Sequence, residues 1–274
     1  MKLTLNGVLL LLCLAMPLTN IALAMVWQPL AVAHQGHAHA RSAAMQMLLE
    51  DGERADIRMI LPDLSEQKLM RDAHGLTTIA QTRMSYFHAL IAERETNGLH
   101  EAAIRYLHMS GKPAKPSPSK ILTLPHAPLD IVPDPLPREH WRYLSGNDFA
   151  FVLRFQGKPL AGHQVNLTTS NGSTQQYVTD LEGRFALVLP DDFRDVREGR
   201  ENNRPGEFVL RSEFNNGEDS YITTLSAPYS TNPSHWQSLA LGAAVIGGGA
   251  VFGVLMTFGM RRRQAASTLG KRIA

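Results

Sequence analysis

The sequence predicts a mainly β chain, with two β-sandwich units followed by one C-terminal transmembrane helix, and three observations predict it. From Asn147 onward apolar residues alternate with period two, as on strands with one buried face. Turn-forming clusters such as GKPLAG (157–162) and TDLEG (179–183) separate these runs at short intervals. The stretch SLALGAAVIGGGAVFGVLMTFGM (238–260) carries no charge for 23 residues. At 274 residues, 44% of them apolar, the chain has room for one large domain or two small ones around a buried core.

In chain order, Lys2 is a short positive start, Gly7 to Met16 an apolar centre, Pro17 a breaker, and IALA ends at Ala24. This is the three-part pattern of a secretory signal peptide, assigned to residues 1–33. Small-x-small sites end at Ala24, Ala33 and Ala40. Cleavage after Ala24 or Ala33 is expected and keeps His34, His37 and His39, whereas cleavage after Ala40 removes them. An uncleaved signal anchor reaching about Ala33 is the alternative. Cys13, the one cysteine, lies inside the apolar centre. A processed chain therefore has no thiol for a disulfide, a zinc-thiolate site or nucleophilic attack. Leu12 stands where a lipoprotein leader needs a small residue before its cysteine.

Residues 34–55 form a His-bearing N-terminal segment, and residues 56–111 a smaller β-unit. ADIRMILPD sets Ile57, Met59 and Leu61 on one face of a strand. In GLTTIAQTRMSYFHALIAERE the residues Thr77, Thr78, Ile79, Tyr86 and Phe87 favour extended structure. A short α-helix within Met84 to Glu95 or His100 to His108 is the alternative. A Pro/Lys/Ser linker at 112–120 leads to the main sandwich at 121–229. There Phe149, Phe151, Leu153 and Phe155 point one way, while Ala150, Val152, Arg154 and Gln156 point the other. Val165 and Leu167, then Phe185, Leu187 and Leu189, repeat the pattern. EFVLRSEF and SYITTL supply two further strands, and PDDFRDVREGRENNRPG is a long polar loop.

The uncharged run 238–260 spans a hydrocarbon core of about 30 Å at ~1.5 Å per residue. Trp236 stands at its entry, and Arg261, Arg262 and Arg263 follow its exit. The positive-inside rule places the basic tail 261–274 in the cytoplasm and the large middle region outside, the topology a signal peptide also requires. The expected location is the inner membrane, single-pass. Gly249 and Gly253 form a G-x-x-x-G pair, a face on which a transporter or other membrane-protein helix could pack closely.

A net charge of +2 without a clustered basic face argues against nucleic acid as a partner. The chain lacks G-x-S-x-G, H-E-x-x-H and phosphate-cradling glycine motifs, so no enzyme class is expected. The densest set of metal-ligand side chains is His34, His37 and His39. Neutral imidazole suits Cu(II), Ni(II) and Zn(II), and cleavage after Ala33 would add a free terminal amine beside His34. A His-bearing linker without a metal is the competing reading. His88, His100 and His108 could meet if their segments pair as neighbouring strands. Met45 and Met47 suit Cu(I), although core packing is the commoner role for Met. Asp191 and Asp192 are read as ending a strand and capping a turn, with calcium binding the lesser alternative.

APLDIVPDPLP (127–137), GNDFAFVLRFQGKPLAGHQVNL (146–167) and TDLEGRFALVLP (179–190) together resemble an exported family of unknown function linked to nickel and cobalt uptake. That family pairs a β-sandwich with a carboxypeptidase-regulatory-like repeat, so two Ig-like or regulatory-like sandwich units are expected here, and some members carry a C-terminal membrane anchor. The resemblance covers 121–190 closely and 56–113 loosely. It implies an extracytoplasmic accessory with a Ni, Co or Cu theme, and an Ala-His start to the mature chain matching Ala33-His34. After that point QGHAHARSAAMQM stands where the family has an aromatic-rich first strand. A structural or protein-interaction module without metal is the alternative function.

Overall fold

The structure, a computed structural model, describes residues 24–30, 44–115, 117–137, 142–237, 244–254 and 256–257. The leader up to residue 23, the segment holding His34, His37 and His39, and the tail 261–274 lie outside the described residues.

The first half is built from β1 (Val26–Pro29), β2 (Met45–Glu50), β3 (Asp56–Ile60), β4 (Glu66–Leu69), β5 (Leu76–Ile79), β6 (Tyr86–Thr96) and β7 (Leu99–Met109). Both segments for which a helix was the alternative are therefore strands. Asn97 and Gly98, both at positive φ, close the β6–β7 hairpin between Thr96 and Leu99. Asn-Gly suits such a two-residue turn because both central positions need a left-handed backbone. A 3-10 helix (Pro118–Thr123) follows, and its Ile121 is buried on the outer face of β3 and β6 with Ile60, Ala89 and Ile91.

The second half comprises β8 (Leu129–Pro133), β9 (Tyr143–Leu144), β10 (Asp148–Phe155), β11 (Lys158–Pro159), β12 (Gln164–Thr169), β13 (Thr174–Val178), β14 (Arg184–Val188), β15 (Gly206–Asn216) and β16 (Asp219–Ser230). The expected alternation on β10 holds: Phe151 and Leu153 are fully buried against Phe185, Leu187, Val165 and Phe208. The turn before β14 is pinned as its residue types suggest. The Asp180 carboxylate accepts the backbone N–H groups of Glu182 and Arg184, and Gly183 sits at φ +69°.

The two halves meet in one sheet. Among the described residues it has nine strands, ordered β13-β12-β15-β16-β7-β6-β3-β4, with β9 beside β16. The join is the parallel pairing of β7 with β16, in which Ala103 lies opposite Thr224 and Ile104 opposite Leu225. Two smaller sheets cover opposite faces of it. The β1-β2-β5 sheet packs on the face carrying Leu90, Ala92, Ala103, Leu107 and Met109. The sheet of β8, β10, β11 and β14 packs on the other face, against Ile104, Leu210, Leu225 and Tyr229. The chain is thus mainly β and sandwich-like, with two cores offset along a common layer.

This sharing explains an oddity of β16, whose Thr223, Thr224 and Ser226 are polar yet buried. Thr224 Oγ1 donates to the Met25 carbonyl at 2.6 Å and Ser226 Oγ donates to the Trp27 carbonyl at 2.9 Å. These hydroxyls serve as a short side-chain ladder for the free edge of β1, replacing the backbone groups that a neighbouring strand would supply. Trp27 is 0% exposed, and its Nε1 donates to the Ala103 carbonyl at 3.0 Å. The strand β1 that carries Trp27 precedes the segment 31–43 in the chain.

Beyond Gln237 the described chain resumes as a helix, α1, over 244–254 and 256–257, inside the apolar run 238–260. Among the described residues no helix is long and apolar enough to cross a membrane. Residues 238–243, 255 and 258–260 of that run lie outside the description.

Candidate functional site

Among the described residues, two clefts and one buried polar cluster gather chemistry-bearing side chains. The first cleft, about 410 Å³, opens where the long polar loop after β14 meets the end of β16, lined among others by Ser170, Asn171, Asp192, Phe193, Arg204 and Thr231. Asp192 is its centre. Its carboxylate accepts hydrogen bonds from Thr169 Oγ1 (2.6 Å), Tyr229 Oη (2.6 Å) and Asn171 Nδ2 (3.2 Å). Burial opposes the charged form, but these donors outweigh it and hold the carboxyl below the usual carboxylate range. The same burial, together with the Asp192 acceptor, raises the Tyr229 phenol well above its ordinary value.

The neighbouring Asp191 accepts from Ser145 Oγ at 2.9 Å and lies 3.4 Å from His235 Nε2. Asn203 ties the loop to itself, accepting from the Arg197 N–H and donating to the Arg197 and Gly199 carbonyls. Gly199 N–H in turn donates to the Trp236 carbonyl, joining this loop to the segment that leads out of the sandwich. Asp191 and Asp192 thus close a strand end, as expected, and their oxygens bind protein donors. The arrangement presents exposed charges of both signs, Arg194, Asp195 and Arg204, around a hydrogen-bonded floor.

The second cleft, about 450 Å³, lies at the β6–β7 hairpin end beside β16. His100 stacks on Tyr221 at 4.7 Å between ring centres, with Glu95 at 3.6 Å and Asp219 at 3.9 Å. Arg94 pairs with Glu101 and also donates to the Asp51 carbonyl, so its charge is already committed.

The buried cluster sits where the halves meet. Asp130, 0% exposed, accepts from Arg154 Nε (3.0 Å) and Nη2 (2.6 Å) and from the His126 backbone N–H (3.1 Å). Burial works against ionisation, yet the hydrogen bonds from His126 and Arg154 prevail and lower its pKa. Arg154 also donates to the Leu122 and Leu124 carbonyls, fastening the 3-10 helix region to β10. Arg58 reaches the His126 carbonyl and Glu93. His126 Nδ1 faces the Asp130 carboxylate at 3.6 Å, and the Tyr106 hydroxyl and His126 Nε2 are buried here without a hydrogen-bond partner among the described residues. Sequence reading passed over this cluster because its members are scattered singly between residues 58 and 154; the only visible trace was Arg154 among the outward positions of β10.

The other candidate ligands separate. His88, His100 and His108 do lie on paired strands, but Phe87 faces His108, Leu107 faces His88 and Glu95 faces His100. The pairing therefore sets His88 and His108 one register step apart and His100 at the far end. His88 is buried, bonded through Nε2 to Thr82 Oγ1 at 2.6 Å, with its pKa lowered by burial. Met47 is 0% exposed in the core and Met45 is 41% exposed, which follows from alternation on β2 and makes Met47 packing rather than ligand. Among the described residues no group of three or more His, Cys, Asp or Glu side chains is arranged to hold a metal ion. On α1, Gly249 and Gly253 have open space where a Cβ would stand.

No protein-family model matches the chain, and no curated protein matches it. Among solved structures, similarity is found to a Ca²⁺-stabilized adhesin that helps an Antarctic bacterium bind ice, at 11% identity and a TM-score of 0.26. It covers 70% of this chain, which spans 45% of that one. The D0-D1 domain of intimin matches at 11% identity over 67% of this chain and 89% of its own, TM-score 0.21. The D00-D0 domain of intimin matches at 12% over 75% and 98%, TM-score 0.22. Likeness at this level carries no argument about function.

Proposed function

We propose that this chain is an exported, non-catalytic accessory of the cytoplasmic membrane, held by its C-terminal apolar segment, with its Ig-like or regulatory-like sandwich region facing the periplasm or cell exterior. One observation carries the reading: β16, at the centre of the common sheet, runs directly through the Asn232-capped turn Pro233–His235 toward the 238–260 segment. A load-sharing core and an anchor are thereby one continuous piece of chain. In the clefts Asp191, Asp192 and Glu101 already hold structural hydrogen bonds or ion pairs, which supports recognition rather than catalysis. The partner is a membrane-protein complex, a transport system in the sense of the family resemblance, approached by α1 through Gly249 and Gly253.

A sharper form assigns metal handling, with Ni, Co or Cu as the ion, to His34, His37 and His39. The observation favouring it is that residues 31–43 connect two paired strands: Pro29 lies opposite Met47, and Leu30 N–H donates to the Gln46 carbonyl. Closure of the segment at both ends raises the local concentration of three imidazoles about one ion. Titrating the detergent-purified full chain with each ion, beside a triple His34→Ala, His37→Ala, His39→Ala variant, tests it. One bound ion, absent in the variant, supports metal handling; no binding by either leaves the interaction module alone. Release of the protein from membranes by alkaline carbonate would overturn the anchored reading itself.

A further inference from the structure

We infer that the leader is cut at the Ala24–Met25 peptide bond, so that the mature chain begins with β1 and carries the histidine segment as an internal connection. The inference rests on the export reading above and deepens it. Three small-x-small sites compete in the sequence, ending at Ala24, Ala33 and Ala40. The fold distinguishes them. Met25 and Trp27 are 1% and 0% exposed in the first core. Cleavage after Ala33 or Ala40 removes both side chains and all of β1. It also removes the carbonyl acceptors of the buried Thr224 and Ser226 hydroxyls and the indole N–H that donates to the Ala103 carbonyl.

The step itself balances: water adds across the Ala24–Met25 bond, leaving a carboxylate on Ala24 of the leader and a free amine on Met25. The enzyme class is a membrane-bound leader peptidase, which takes small side chains such as Ala22 and Ala24 at its two specificity positions. The amine so formed lies far along the chain from His34, and a metal site at His34, His37 and His39 would have to be built from imidazoles without it.

The test is intact mass and N-terminal sequencing of the full chain purified from membranes, beside an Ala24→Arg variant. The expected mature start is Met25, with that product lost in the variant and replaced by one heavier by the leader. A start at His34 or Arg41 overturns the inference while leaving export intact. A start at Met1 in the parent chain overturns the cleavable-leader reading on which it rests.

Discussion

Replacing Trp27 by Ala tests whether residues 25–29 belong to the fold. Trp27 is 0% exposed, packed in the first core with Met25, Met47, Leu90 and Ala103, and its indole N–H is bonded to the Ala103 carbonyl. Truncating a buried Trp to Ala costs about 3–5 kcal/mol in lost transfer energy and cavity. The lost indole hydrogen bond adds roughly 0.5–1.5 kcal/mol, partly overlapping the first figure, since the Ala103 carbonyl keeps its ladder bond to Ala92. A total near ~5 kcal/mol is a large share of the ~5–15 kcal/mol that holds a domain together. Trp27→Phe keeps a ring in the cavity and loses the hydrogen bond, so it should cost about 1–3 kcal/mol. Urea unfolding of the detergent-solubilised full chain, followed by far-UV circular dichroism, reads both. At a slope of ~2–3 kcal/mol per M, the Ala variant should unfold ~2 M earlier than the parent. Midpoints of parent and Trp27→Ala that coincide within about 0.3 M would refute the seating of β1 and, with it, the argument for cleavage at Ala24.

Three further outcomes follow from the same geometry. Arg154→Met leaves the Asp130 carboxylate buried without its cation and should cost about 3–5 kcal/mol by urea unfolding, with Asp130→Asn in the same chain recovering part of the loss. Burial holds the His88 pKa below its usual value, so stability is complete above the unfolded value of about 6.5 and declines as pH falls below it, where the unfolded chain takes up the proton first. Comparing unfolding midpoints between pH 7.5 and 5 should show a shallower decline in His88→Gln; equal slopes would assign the acid sensitivity elsewhere. Gly183→Ala places a Cβ 2.8 Å from the Leu153 carbonyl oxygen at φ +69°. With about 1–2 kcal/mol from the left-handed backbone plus that overlap, it should lower the thermal midpoint by ~4–8 °C.

The second sandwich was readable because its strands bury one face and therefore alternate. β10 and β14 show this directly, and Asp180 with Gly183 announces the turn between them. The first half was harder for a physical reason. β6 and β7 are central strands covered on both faces, so Ala89 to Ala92 and Ala102 to Arg105 are continuously buried and no period survives to tell strand from helix. The Asn97-Gly98 pair was the local signal that would have decided it. β1 was hidden because VWQP is a four-residue strand directly behind a leader, too short to show a period of its own. The parallel join of β7 and β16 links positions more than a hundred residues apart, which no local pattern encodes. Of the candidate ligands, register dispersed His88, His100 and His108, while alternation turned Met47 inward and Met45 outward.

The direction of β16 also has a mechanical meaning. A pull on the C-terminal end of β16 at Ser230 runs along the strand, with the antiparallel β15 on one side and the parallel β7 on the other. Their hydrogen bonds lie across the line of force and are loaded together in shear, so the strand cannot be peeled away one bond at a time. Tension applied at that end is therefore shared at once by both cores, and the sheet behaves under traction as a single tie rather than as two beads on a string.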